Sequence, residues 1–236
     1  MRETAENLEK MRNFGISEGI SELILTTRND RNGSKYVSNA APFGIVWKND
    51  RMFLHLFKGS KTCENMMREN LFAANMTDDA VLYATTTFYD LEDDEFGYAE
   101  YGYAEYDYAE YGYAEYAGEE SVSPKEASIP YLKNADRVVL FKCVGRTEAE
   151  DSVIIDIEPA DFIVLKPDKA GFIFNRGFHS VVEACIHLTR YELTKDQKYV
   201  DLIRHHWGIT QRCGRKRDKE GVAVLRKKMN EILDRE

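Results

Sequence analysis

Apolar and polar positions alternate over residues 20–28 (ISELILTTR), and a period of two predicts a β-strand with one buried face. Residues 29–33 (NDRNG) carry turn chemistry, and residues 35–48 form a second strand returning against the first, interrupted at Ala40-Ala41-Pro42. Pro42 has no N–H to give to a ladder, so the strand must lie at an edge or bulge there. Asn49-Asp50 turns the chain into a third strand, residues 51–58 (RMFLHLFK). Next comes KGSKTCENMMRENLFAANMT (58–77), which reads as a small-residue turn, a short helix over 61–70 and a strand over 71–76. Residues 137–146 (RVVLFKCVGR), 152–158 and 162–166 are further strands. Consecutive antiparallel strands with one short helix among them predict a closed or partly closed barrel, not a βαβ sheet.

The period lengthens toward 3.6 in the last quarter of the chain. Residues 175–191 place Phe178, Val181, Val182, Cys185 and Ile186 along one helical face, with Glu183, His187 and Arg190 at i, i+4 and i+7 on another. Residues 195–207 and 219–235 predict two more helices, the last with Val222, Leu225, Met229, Ile232 and Leu233 as its apolar stripe. The pattern is mainly β with α: a barrel domain over residues 1–170 and a C-terminal helical subdomain over 171–236. Residues 80–88 fit a helical face slightly better than a strand. From Gly97 the chain repeats GYAEY, GYAEY, DYAEY, GYAEY, whose period of five suits neither element. We read about 90–120 as a Tyr-rich low-complexity insertion in a loop. Deleting residues 97–116 is then expected to leave the fold and any cofactor site intact.

Composition narrows the function classes. With 43% hydrophobic and 31% charged residues the chain is globular, and a net charge of −9 argues against nucleic acid or an anionic membrane as partner. No apolar run approaches spanning length, and residues 1–11 are polar and helical rather than signal-like. Cys63, Cys143, Cys185 and Cys213 are far apart and form no CxxC, so reduced thiols and a cytoplasmic location are expected. There is no GxSxG, P-loop, GxGxxG or HExxH. His205-His206 lie near Cys213, but adjacent histidines on a helix point in different directions, and no metal is expected.

Candidate chemistry centres on Ser60, Lys61 and Thr62. Ser60 stands at an N-cap position, and free amides, hydroxyls and a cation together suit a phosphate. Glu183, His187 and Arg190 have two readings: a charge network on a solvated helix face, or a polar seam facing a subunit partner or ligand.

Several motifs follow in order. They are Ile20-Ser21-Glu22 through Thr26-Thr27, Asn39-Ala40-Ala41-Pro42-Phe43-Gly44, Gly59-Ser60-Lys61-Thr62 with Asn65, and Asn75-Met76-Thr77-Asp78-Asp79. Asn175-Arg176 and Val182-Glu183-Ala184 through Thr189-Arg190 complete the series. It resembles the mostly archaeal domain-of-unknown-function 447 family, flavoproteins with the FMN-binding split β-barrel fold. NAAPFG and the KT..N..EN..FAANM run are also similar to flavin-reductase-like barrels. The Tyr-rich repeat lies outside the family pattern, and Phe43 stands where methionine is expected.

The resemblance implies FMN in a groove at the interface of a homodimer. Ser60, Lys61, Thr62 and Asn65 would form the phosphate side. Thr26, Thr27 and the backbone of Asn39, Ala40, Ala41, Pro42, Phe43 and Gly44 would run along the ribityl chain and ring, with Asn75 beside them. Arg176, His187 and Arg190 would close the site from either subunit. The implied activity is that of an FMN-dependent oxidoreductase of unknown substrate, with NADH or NADPH as candidate donor and no catalytic residue assigned. A non-catalytic flavin-binding or sensing protein, and a barrel for another phosphorylated ligand, are the competing readings.

Overall fold

Antiparallel pairing runs in a closed circuit. The computed structural model describes residues 2–31, 35–100, 128–169 and 171–234. Its barrel strands are β1 (Gly19–Arg31), β2 (Lys35–Lys48), β3 (Arg51–Phe57), β4 (Leu71–Met76), β7 (Arg137–Glu148) and β8 (Ser152–Val164). They join in the order β1-β2-β3-β8-β7-β4 and back to β1. The expected barrel is therefore present. The turn from β2 to β3 is Asn49-Asp50, both left-handed (φ 51° and 59°), which is the backbone a two-residue hairpin asks for.

Period-two burial builds the interior. In β3 Met52, Leu54 and Leu56 point inward while Arg51 and His55 point out. They meet Leu23, Leu25, Ile45, Val139 and Ile155, and Phe72 stacks on Phe141 with ring centroids 5.3 Å apart. Each such side chain contributes about 1.5–3 kcal/mol of burial. Met11 of α1 (Arg2–Asn13) and Ile16 just beyond it are buried in the same cluster with Trp47.

The outer face on one side is covered as well. A hairpin of β5 (Phe96–Glu100) and β6 (Ser128–Leu132), with α3 (Ala80–Phe88), packs Phe96, Ile129, Leu132 and Leu82 on Ile24, Ala73, Val138 and Leu140. Burial on both faces is why β4 and residues 138–141 of β7 are apolar almost throughout.

Three expectations change here. β2 runs unbroken through Pro42, which is paired in register with Ile24. Its far edge meets β3 only at Val46–Lys48, so a proline is tolerated on what is locally an edge strand. Residues 152–158 and 162–166 are one strand, β8, because Pro159 and Ala160 sit at a bulge opposite Leu140 and Phe141. The insertion begins later than about 90: Gly97–Glu100, the first four residues of the first repeat unit, belong to β5, anchored by buried Phe96. Deleting residues 97–116 would therefore remove a paired strand. The rest of the repeat lies outside the described residues.

The C-terminal part consists of α4 (Arg176–Thr194), α5 (Gln197–Cys213) and α6 (Lys216–Leu233). Leu188, Tyr191, Val200, Ile203, Met229 and Ile232 form its core. The face of α4 singled out by the sequence is not the buried one. Ser180, Ala184, Leu188 and Tyr191 face inward, whereas Phe178, Val182, Cys185 and Ile186 are exposed. Asn175 ties this part to the barrel: its amide donates to the carbonyls of Ile20 (2.7 Å) and Cys213 (3.2 Å) and its oxygen caps Phe178 N. No helix among the described residues is long and apolar enough to cross a membrane.

Candidate functional site

The free edge of β2 forms one wall of a cleft. α2 (Lys61–Met66) forms the second, and the end of α3 with the residues after it forms the third. The cleft holds about 440 Å³, within the ~300–1,000 Å³ typical of small-molecule sites. Asn39 to Phe43 lie along the β2 wall, and Ser60, Lys61 and Thr62 along the α2 wall. A side pocket of about 100 Å³ shares Asn39, Lys61 and Asp90 with the cleft and reaches Asn65.

Each of these side chains is positioned by a specific contact. Ser60 is the N-cap of α2: its Oγ accepts from Cys63 N (3.2 Å) and donates to the Phe57 carbonyl (3.0 Å). Buried Thr62 accepts from Asn39 Nδ2 (3.2 Å), which fixes α2 against β2. Asn65, 1% exposed, donates to Thr27 Oγ1 (2.9 Å), while its own Oδ1 is buried with no hydrogen-bond partner. An unmet buried acceptor costs on the order of 1–3 kcal/mol, and a donor from a ligand would remove that cost. Arg146 holds α2 from below, donating to the Met66 carbonyl (2.9 Å) and Asn70 Oδ1 (2.7 Å).

Lys61 reaches across the cleft to Asp90, with Nζ at 2.6 and 2.8 Å from the two carboxylate oxygens. Both are exposed, so the pair is worth no more than about 1 kcal/mol and is readily exchanged. Phe88 and Tyr89 stand at the rim, 79% and 71% exposed. That is a costly way to display two aromatic rings unless something covers them.

Other expected site residues fall elsewhere. Asn75 and Thr26 form a knot between strands: Asn75 Nδ2 donates to the Ile24 carbonyl (2.9 Å) and Thr26 Oγ1 (3.0 Å), and its Oδ1 accepts from Leu132 N (2.8 Å). Thr26 Oγ1 in turn donates to the Pro130 carbonyl. Both residues are fully buried and hold β1, β4 and β6 together. Gly44 faces β1, where a Cβ would meet Ile20 Cγ2 at 2.6 Å, so packing alone explains the glycine. Arg176, His187 and Arg190 are on α4, and none of them lines the cleft.

Thr86 to Asp90 are the cleft residues that sequence reasoning missed. Asp79, which caps α3 through Val81 N and Leu82 N, marks where that helix starts, but only its packing on β2 brings its far end to the cleft.

A second polar group lies behind this wall. Glu22 is half-buried, and burial pushes its carboxyl above the usual range, with Arg176 acting in the opposite sense. Tyr83 donates to the Glu22 carbonyl oxygen (2.9 Å), and its hydroxyl is pushed up to about 12, by burial first and the Glu22 charge second.

The family profile described as "Protein of unknown function (DUF447) N-terminal domain" matches residues 21–166, and the second DUF447 profile matches residues 175–227. An FMN-bound DUF447 protein from Methanosarcina mazei, known as a crystal structure, is 34% identical, with 92% of this chain and 98% of that chain covered and a TM-score of 0.53. An uncharacterised protein of Methanocaldococcus jannaschii is 24% identical over 230 residues, covering 89% of this chain and 98% of its own. The flavin reductase HpaC, solved with NADP+, is 14% identical, with 72% of this chain and 92% of that chain covered and a TM-score of 0.43. Matched through both its barrel and its helical part, the chain belongs to the DUF447 family.

Proposed function

We propose that the chain binds FMN in the cleft between β2 and α2 and works as a homodimeric oxidoreductase. The observation that carries the reading is the cleft itself, in a chain 34% identical across 92% of its length to an FMN-bound protein. The residues present fit that group. Ser60, Lys61 and Thr62 offer two hydroxyls and a cation to a phosphate, with Lys61 exchanging Asp90 for it. The unpartnered Asn65 Oδ1 suits a hydroxyl donor such as those of the ribityl chain. Asn39 to Phe43 supply an unpaired strand edge and an aromatic face for the ring.

Bound FMN would supply hydride or electron transfer, and the protein's part is to bind, orient and desolvate it. The exposure of the rim aromatics Phe88 and Tyr89 supports a second protomer covering them, which would exclude water from the ring. No side chain in the cleft is required as acid or base, so turnover rests on which donor is admitted. NADH and NADPH are the donors to try first. Anaerobic mixing of FMN-loaded protein with either is expected to bleach the flavin faster than it bleaches free FMN. Retention of FMN with no such acceleration by either donor would favour a flavin-binding or sensing protein without this turnover.

A further inference from the structure

We propose that Glu183, His187 and His206 form a binding site for a divalent transition-metal ion of zinc-like chemistry, clamping α4 to α5. Glu183 and His187 are one turn apart, so both side chains leave the same face of α4. The two-residue link Lys195-Asp196 sends α5 back along α4, and that return places His206 opposite them. One ligand atom from each of the three lies within 4.8 Å of the others. Glu183 Oε2 and His187 Nε2 are 4.0 Å apart, and the rings of His187 and His206 are stacked at 5.4 Å and 30°.

Ligands on a tetrahedral zinc, at ~2.0–2.2 Å from the metal, stand about 3.3 Å apart. Rotation about side-chain bonds covers the remaining distance, at most about 1.5 Å. The arrangement has a further feature that a surface ion pair would not need. Nδ1 of His187 and Nδ1 of His206 are both buried and without a hydrogen-bond partner. Among the described residues no hydrogen bond ties up these two nitrogens, so each ring can turn to present a nitrogen to an ion.

Two imidazoles and one carboxylate suit zinc, cobalt or nickel, whereas magnesium and calcium prefer all-oxygen sets. Three protein ligands leave a fourth position, and Glu183, with a 53% exposed side chain, opens the site to solvent. None of the three residues lines the cleft, so the proposal stands apart from the flavin reading. It also gives His187 a task other than closing over a cofactor.

The test is a calorimetric titration of untagged, chelator-stripped full-length protein with Zn2+, paired with Co2+ difference absorption. The proposal requires one ion per chain, the visible bands of low-coordinate Co2+, a raised Tm with Zn2+ and none of these with Mg2+. It also requires that His206→Gln and Glu183→Gln each abolish the Co2+ bands. Glu183 is exposed enough that its variant folds even where a histidine variant does not. No Zn2+ heat, or Co2+ bands that survive in Glu183→Gln, would overturn it.

Discussion

At the residue scale the cleft is governed by a competition. Asp90 holds the Lys61 ammonium group that a phosphate would also use. A charge-assisted hydrogen bond contributes about 1.5–3 kcal/mol, so Lys61→Ala should weaken FMN binding by about tenfold or more. Its Tm should hardly move, because the exposed ion pair adds little to stability. Asp90→Asn should do the reverse and tighten FMN, since it frees the cation and removes a negative neighbour. Fluorescence titration of FMN against both variants checks the pair, and equal dissociation constants would remove the phosphate from this wall.

Glu22 offers a different kind of readout. Its folded pKa lies above the ordinary 4.5, because burial penalises the carboxylate more than Arg176 relieves it. The associated stability is present in full below about pH 4.5 and is lost as pH rises through the folded pKa. Glu22→Gln is neutral at every pH and escapes that loss. Melting curves should show the variant more stable than the parent at pH 7, with the gain gone in acid. A parent whose stability rises over that interval, with no gain in the variant, would contradict the assignment.

At the scale of elements, the contact between the start of α4 and the end of α5 is tight. A Cβ on Gly177 would lie 2.2 Å from Gly214 Cα and 2.5 Å from its amide nitrogen. Thr210 Oγ1 donates to the Gly177 carbonyl (3.2 Å), so the first turn of α4 and the end of α5 have no slack. Gly177→Ala should cost about 1–3 kcal/mol, read as a lower denaturation midpoint at unchanged slope. A midpoint equal to the parent's would show that the junction yields.

The same scale shows what could be read from the chain beforehand. The alternation in β1 and β3 and the Asn49-Asp50 turn are local signals, and local signals carried the barrel. The five-residue repeat hid β5, because Gly97 to Glu100 look like the units that follow them, and only the burial of Phe96 and pairing with β6 set them apart. α4 misled for a related reason. Its most apolar stripe is exposed, while the buried one is built from small and mixed residues such as Ser180 and Ala184. Size at a close helix contact outweighed hydrophobicity there.

At the scale of the whole molecule, the walls of the cleft come from three stretches far apart in sequence. The wall at Asn39 to Phe43 and the wall at Ser60 to Thr62 were legible as motifs. The third, Thr86 to Asp90, carries no motif, because it reaches the cleft only through the packing of α3 on β2. Asn75 belongs to a motif yet sits in an internal hydrogen-bond knot, which no spacing rule separates from a ligand contact. The rim aromatics Phe88 and Tyr89 are exposed, and a second copy of the chain is the partner we propose to cover them.

One measurement tests the central claim most directly: the absorbance of purified protein mixed with FMN and passed through gel filtration. The account predicts flavin bands that co-elute with the protein at dimer size, with one FMN per chain. A colourless protein peak, with all FMN eluting as free cofactor, would contradict it and return the cleft to some other phosphorylated ligand.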